Sequence, residues 1–156
     1  MKIFTDGSKT ENYVGASMVA VKDSKEIHIN TQRLNTTCTV FQAELYGISM
    51  AIDWIQSQGK KISSYSINVD SKAALLAIAN KHTTHPLPVV IKVKAITLRN
   101  STSITFHWVK GHTGLKGNER ADYLAKTVAR YNTTIAYYEI PINRGKQMLE
   151  DHYTKI

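Results

Sequence analysis

A chain of 156 residues is long enough to bury one ordinary core without disulfides or metals to staple it. Its 42% hydrophobic and 21% charged content is that of a globular protein, and no apolar run approaches the roughly 20 residues of a bilayer span. The single cysteine, Cys38, excludes an internal disulfide and a cysteine metal cage, while 20 Lys and Arg against 12 Asp and Glu leave a net charge of +8. Such a charge suits a polyanionic partner, or simply a well-solvated basic surface. The first residues carry no long apolar stretch of the secretory kind, so an intracellular protein of the nucleus and/or cytoplasm is expected.

In chain order, Lys2-Ile3-Phe4-Thr5 reads as a short strand ending in the turn-prone cluster Asp6-Gly7-Ser8. From Tyr13 to Val21 the apolar residues Val14, Ala16, Met18 and Ala20 alternate, and Ile27 and Ile29 continue an alternating strand after the polar turn Lys22 to Lys25. The period then changes. Phe41, Leu45, Ile48, Ile52 and Ile55 recur every three or four residues, the stripe of a long amphipathic helix that Gly59 is placed to stop. Tyr65 to Val69 is a strand, and Asp70-Ser71 opens a helix over Lys72 to Ala79. Pro86 and Pro88 start another helix, with Val89, Val93 and Ile96 as its expected buried stripe. Ser103 to Val109 is a strand with Ile104, Phe106 and Trp108 as inward candidates. Gly111, Gly114 and Gly117 punctuate the loop after it, and Asn118 is placed to cap a helix that carries Ala121, Leu124, Ala125 and Val128.

Strands first, then helices alternating with strands, predict an α/β domain with a five-stranded mixed sheet. The first three strands form an antiparallel meander, and the later ones, reached through helical crossovers, run parallel to the first. The domain is expected over 1–132. Residues 133–156 form a C-terminal extension in which Ile140-Pro141-Ile142 is extended and Arg144 to Tyr153 is a short basic helix.

Four carboxylates stand where they cost stability unless something needs them. Asp6 ends the first strand, Asp70 ends a parallel-type strand, Glu44 borders the core stripe of the long helix, and Asp122 lies in the first turns of the last one. Two-metal phosphoryl chemistry supplies such a need, since oxygen ligands hold two Mg²⁺ about 4 Å apart. Taken singly, each has a plainer reading: a turn at Asp6-Gly7, a helix cap at Asp70-Ser71, an exposed helix residue at Glu44, a dipole partner at Asp122. Spacing alone does not bring the four together.

Thr5-Asp6-Gly7-Ser8, Phe41-Gln42-Ala43-Glu44-Leu45, Val69-Asp70-Ser71, and Trp108 to Gly114 followed by Gly117 to Asp122 resemble the four motif blocks of type 1 ribonucleases H. They stand in the family's order and span residues 2 to 131, the last block being the most specific. The resemblance implies a ribonuclease H-like fold. It makes Asp6, Glu44, Asp70 and Asp122 the catalytic, metal-binding carboxylates for two Mg²⁺ ions, with Mn²⁺ as substitute. His112 becomes the loop histidine that assists proton transfer or product departure, and Gly7, Ser8, Thr39, Ser71 and Asn118 become substrate-binding positions. Thr39 also reads as a helix N-cap. The implied activity is hydrolysis of the RNA strand of an RNA–DNA hybrid, giving 5′-phosphate and 3′-hydroxyl ends with no protein nucleophile.

The chain departs from many bacterial members in lacking a long basic insertion, since only Asn80 to His85 joins the mid-chain helices. Val40 and Phe41 stand where cellular members often carry amides. The run Thr39 to Leu45, with Ile140-Pro141 and basic residues beyond, resembles ribonuclease H domains of non-LTR retrotransposon polyproteins. That context implies a reverse transcriptase domain in the same parent chain, with the isolated domain a monomer and no membrane partner. A free-standing cellular ribonuclease H, a hybrid-binding scaffold that has lost catalysis, and an integrase- or resolvase-type nuclease are the rival readings.

Overall fold

The computed structural model describes residues 1–131 and 134–137. Three strands lead: β1 (Lys2–Lys9), β2 (Val14–Lys22) and β3 (Lys25–Leu34), each antiparallel to the one before. Asp23 and Ser24 join β2 to β3 with φ of 50° and 62°, the paired left-handed geometry of a two-residue hairpin turn. Helix α1 (Val40–Ser57) follows, then β4 (Ser64–Val69), α2 (Lys72–Ala79), α3 (Pro86–Leu98), β5 (Ser103–Trp108) and α4 (Lys116–Tyr131). The order across the sheet is β3-β2-β1-β4-β5, with β4 parallel to both β1 and β5. This is the expected five-stranded mixed sheet. Among the described residues, no helix is long and apolar enough to cross a membrane.

Side chains alternate across the central strands, so β1 and β2 are buried on both faces. On one face Ile3, Val14, Ala16 and Met18 pack with Leu45, Ile48 and Ile52 of α1, and this is the main core. On the other, Phe4 and Val19 meet Ala121 of α4 in a smaller cluster. Thr39 opens α1 with a reciprocal capping box, its hydroxyl accepting from Gln42 N–H at 3.1 Å while Gln42 Oε1 accepts from Thr39 N–H at 2.9 Å. Gly59, with φ +62°, follows the end of α1 as expected. Ser71 caps α2 by accepting from Ala74 N–H.

Four expectations are corrected. Asp6-Gly7-Ser8 is not a turn but strand, because Asp6 pairs with Ser17 and Gly7 with Ala16 in the ladder. Helix α4 begins at Lys116, so Gly117 is helical and Asn118 lies in the first turn instead of capping it; Leu115 O accepts the first bond, from Glu119 N–H. Its start is set by packing, since Gly117 rests on the Phe4 ring. In α3 the buried residues are Leu87, Pro88 and Ile91, whereas Val93 is 59% and Ile96 67% exposed and Val89 is also exposed. A valine-rich helix has two apolar faces, and the one that meets α1 and α2 is the other one. Trp108 is 47% exposed, because β5 is the sheet's edge and its end projects past the core.

Beyond α4, Ala136 N–H donates to Arg33 O at 2.8 Å and Asn35 N–H to Tyr137 O at 2.9 Å, so 134–137 lies along β3. Tyr137 packs on Tyr46 of α1, ring centroids 5.3 Å apart. The expectations for Ile140 to Ile142, for Arg144 to Tyr153 and for the boundary at 132/133 lie outside the described residues.

Candidate active site

The site forms where α1 crosses the first hairpin. A Cβ on Gly7 would overlap the main chain of Ala43 and Glu44, and one on Gly47 would sit 3.1 Å from Asp6 O and 3.0 Å from Ser17 O. Two glycines facing each other's backbones bring helix and strand into direct contact, and that contact sets Glu44 beside Asp6. On the opposite face, Ser17 Oγ–H donates to Ala121 O at 2.6 Å, and a Cβ on Gly15 would overlap Ala125 O. Helix α4 is thereby seated on β1 and β2 with Asp122 near Asp6. The parallel pairing of β1 and β4 delivers Asp70 at the strand's carboxyl end, where α/β sheets form their pockets.

Asp6, Glu44 and Asp70 converge. Each offers a carboxylate oxygen, and these oxygens all lie within 4.8 Å of one another. Asp6 and Glu44 are buried and Asp70 is half-buried. Gly7 N–H donates to Asp6 Oδ1 at 2.8 Å, while Glu44 Oε2 is buried with no hydrogen-bond partner. Burial, then repulsion from Asp70 and Asp122, pushes the Asp6 carboxyl up to about 7. Burial, then repulsion from Asp6 and Asp70, pushes Glu44 up to about 10. The two share a proton more readily than they share two negative charges.

Asp122 stands outside the tight trio, although its charge reaches Asp6. Its Oδ2 accepts from Lys126 Nζ at 2.7 Å, one helical turn on. His112 is exposed on the β5–α4 loop with φ +56°, and Gly114, with φ +81°, follows it. A Cβ on Gly111 would sit 3.0 Å from Asp70 Oδ2, so the loop leaves the strand directly against that carboxylate.

The expected substrate positions divide. Gly7 is buried under α1, and Asn118 is only 2% exposed with Oδ1 unpartnered. Ser8 and Ser71 are partly exposed, and Thr39 is exposed. Sequence reasoning missed Gly15, Gly47 and Lys126. A glycine inside an otherwise apolar helix signals close packing, and an acid followed four residues later by a lysine signals a helical pair.

The donor set fits a hard divalent cation. Carboxylate oxygens from three segments, one oxygen orphaned and two groups repelling, are what Mg²⁺ or Mn²⁺ coordination relieves, and no cysteine or histidine competes in the trio. Among the described residues, Asp6, Glu44 and Asp70 form a group that could hold one.

The RNase H family profile matches residues 1–130 of this chain. Ribonuclease H of Saccharomyces cerevisiae is 26% identical over 155 residues, covering 81% of this chain and 44% of the yeast protein. Ribonuclease H of Ruthia magnifica is 61% identical over 28 residues, 18% of this chain and 19% of that protein. The chain thus spans less than half the length of these relatives. Among solved structures, RNase H1 of the halophilic archaeon Halobacterium salinarum superposes with a TM-score of 0.64 at 21% identity, covering 80% of this chain and 93% of that one. LC11-RNase H1, isolated from compost, superposes with a TM-score of 0.69 at 18% identity, covering 83% and 94%. With most of its length matched by the family's profile and its fold shared with these enzymes, the chain belongs to the RNase H family.

Proposed function

We propose that this chain is a metal-dependent endonuclease that hydrolyses the RNA strand of RNA–DNA hybrids, leaving 5′-phosphate and 3′-hydroxyl ends. The observation that carries the reading is the meeting of Asp6, Glu44 and Asp70, from three distant segments, with oxygens within 4.8 Å. In this reading Asp6, Glu44, Asp70 and Asp122 hold two Mg²⁺ ions, with Mn²⁺ as substitute. Bound there, the ions supply the positive charge that an in-line displacement needs at its attacking and leaving oxygens.

The chain's own groups do the rest. Glu44 and Asp6, short of charge neutralisation, accept cations or protons in exchange. His112, exposed on its glycine-flanked loop beside Asp70, takes or gives a proton as product departs. Ser8, Thr39 and Ser71 stand on the accessible side as phosphate or sugar contacts, while Gly7 and Asn118 shape the site beneath the substrate. Basic residues around them supply sequence-independent affinity, consistent with the net charge of +8.

The finer context is also a proposal: the ribonuclease H activity of a retrotransposon polyprotein, a monomeric unit tethered to a reverse transcriptase and working in the nucleus and/or cytoplasm. Its support is the run Thr39 to Leu45 and the Ile140-Pro141 segment with its basic continuation. A free-standing ribonuclease H suits the family and the fold equally. Sequencing the parent transcript decides between them, by an in-frame reverse transcriptase or its absence.

The activity itself is tested on the ends it makes. An RNA–DNA hybrid labelled in the RNA is incubated with the protein and Mg²⁺, and the fragments are treated with phosphatase. Loss of a 5′-terminal phosphate is expected. Cyclic or 3′-phosphate ends would overturn the reading, as would full activity in Asp70→Asn.

A further inference from the structure

Asp6 sits within a doubly paired strand and Glu44 within a helix, but Asp70 lies on the two-residue joint between β4 and α2. Regular hydrogen bonding therefore fixes the first two carboxylates and leaves the third to its surroundings. Those surroundings are specific. Val109 N–H donates to Val69 O at 2.9 Å, extending the β4–β5 pairing to the end of β4. The Trp108 indole Nε1–H donates to the main-chain carbonyl of Asp70 at 3.0 Å. Over the same indole lies the Lys72 ammonium, 4.2 Å from the ring centroid. An exposed tryptophan on an edge strand has no need of burial to explain it, and its one polar atom is spent on this carbonyl.

We propose that Trp108 is a positioning residue for the carboxylate site: its indole holds the Asp70 main chain so that the side chain stays in register with Asp6 and Glu44. Lys72 holds the indole in that rotamer by its charge above the ring. Trp108 touches neither metal nor reacting atoms and acts through Asp70. The inference rests on the reading of Asp6, Glu44 and Asp70 as a divalent-cation site.

Trp108→Phe keeps a ring for Lys72 to cover and removes the N–H donor. In the full chain, Mn²⁺ binding measured by electron paramagnetic resonance is expected to weaken about tenfold, the lower end of what an outer ligand-orienting contact contributes. The melting temperature in EDTA stays unchanged, the Mg²⁺ needed for half-maximal hybrid cleavage rises in parallel, and the KM for hybrid does not move. Lys72→Met shifts Mn²⁺ affinity in the same direction by less. A second readout needs no variant. The protein has two tryptophans, and in an Mg²⁺ titration the Trp108 indole ¹H–¹⁵N signal is expected to shift to saturation while that of Trp54 stays still.

Unchanged Mn²⁺ affinity in Trp108→Phe, or an indole signal indifferent to Mg²⁺, would overturn the positioning role. A raised hybrid KM with Mn²⁺ affinity intact would also overturn it, making the ring a platform for substrate. A wild-type protein that binds no Mn²⁺ would instead overturn the cation-site reading, and the positioning role with it.

Discussion

Two carboxyl groups buried side by side cannot both ionise without help. In this protein, Asp6 is pushed up to about 7 and Glu44 to about 10, in each case first by burial and then by neighbouring carboxylates. Their unfolded values are about 3.9 and about 4.3, so the folded protein holds protons that the unfolded chain gives up. The contribution to stability is therefore complete below about pH 4 and is lost as pH climbs through 7 toward 10. In EDTA, Glu44→Gln is expected to melt close to wild type at about pH 5 and clearly above it at about pH 9, because the amide cannot be forced to ionise. A gap between the two proteins that does not widen with pH, measured by scanning calorimetry, would contradict the assignment. Each of these carboxylates stood out in the sequence by its place on a strand end or a core-bordering helix face, but only the motifs around them indicated that they meet. Glu44 and Asp6 lie far apart along the chain, and no periodicity signals that Gly7 and Gly47 let their backbones meet. The same limit hid Lys126, whose partner Asp122 is one turn away but whose relevance depends on where α4 docks.

At the scale of elements, the helix–strand crossing governs the site. Gly7→Ala places a methyl into the Ala43–Glu44 main chain, which cannot yield as a side chain would. A loss of about 3 kcal/mol or more is expected in urea unfolding, at the upper end of overpacking, with divalent affinity falling alongside. A loss under about 0.5 kcal/mol would mean that α1 shifts freely and that the crossing does not set the site. Helix α3 carries the opposite prediction. Ile96→Lys changes a face open to solvent and is expected to alter stability by less than about 0.5 kcal/mol, whereas Ile91→Ala, fully buried, costs about 2–5 kcal/mol. Sequence periodicity located α3 and its proline start but chose the wrong stripe. Val89, Val93 and Ile96 have helical spacing, yet so do Leu87 and Ile91, and only the docking partner selects between them. The alternation of β2 named the residues on its core-facing side correctly, but it did not show that Gly15, Ser17 and Val19 are buried on the other face, where α4 lies. Period is a local property, whereas burial on a second face is a tertiary one.

For the molecule as a whole, the strand order brings Asp6 and Asp70 together and the crossing of α1 adds Glu44, so three carboxylates meet in a protein of net charge +8. Uncompensated acid at the centre and excess base overall are what the proposed cation and polyanionic substrate would neutralise. Mg²⁺ bound only by the folded state stabilises it by about 2.7 kcal/mol at a hundredfold excess over Kd, a rise of several degrees for a chain of this length. Calorimetry at neutral pH is expected to show that rise in wild type and little of it in Asp70→Asn. A rise of the same size in both proteins would move the cation away from the trio.

One cleavage experiment asks whether the RNA of a hybrid is this protein's substrate. RNA–DNA hybrid, duplex RNA and duplex DNA of one sequence, each labelled, are incubated with the protein in Mg²⁺ or in EDTA. Cutting confined to the RNA of the hybrid, and only with Mg²⁺, is the predicted result. Cutting of duplex RNA or duplex DNA at a comparable rate, or hybrid cutting that persists in EDTA, would rule out a metal-dependent, hybrid-specific ribonuclease.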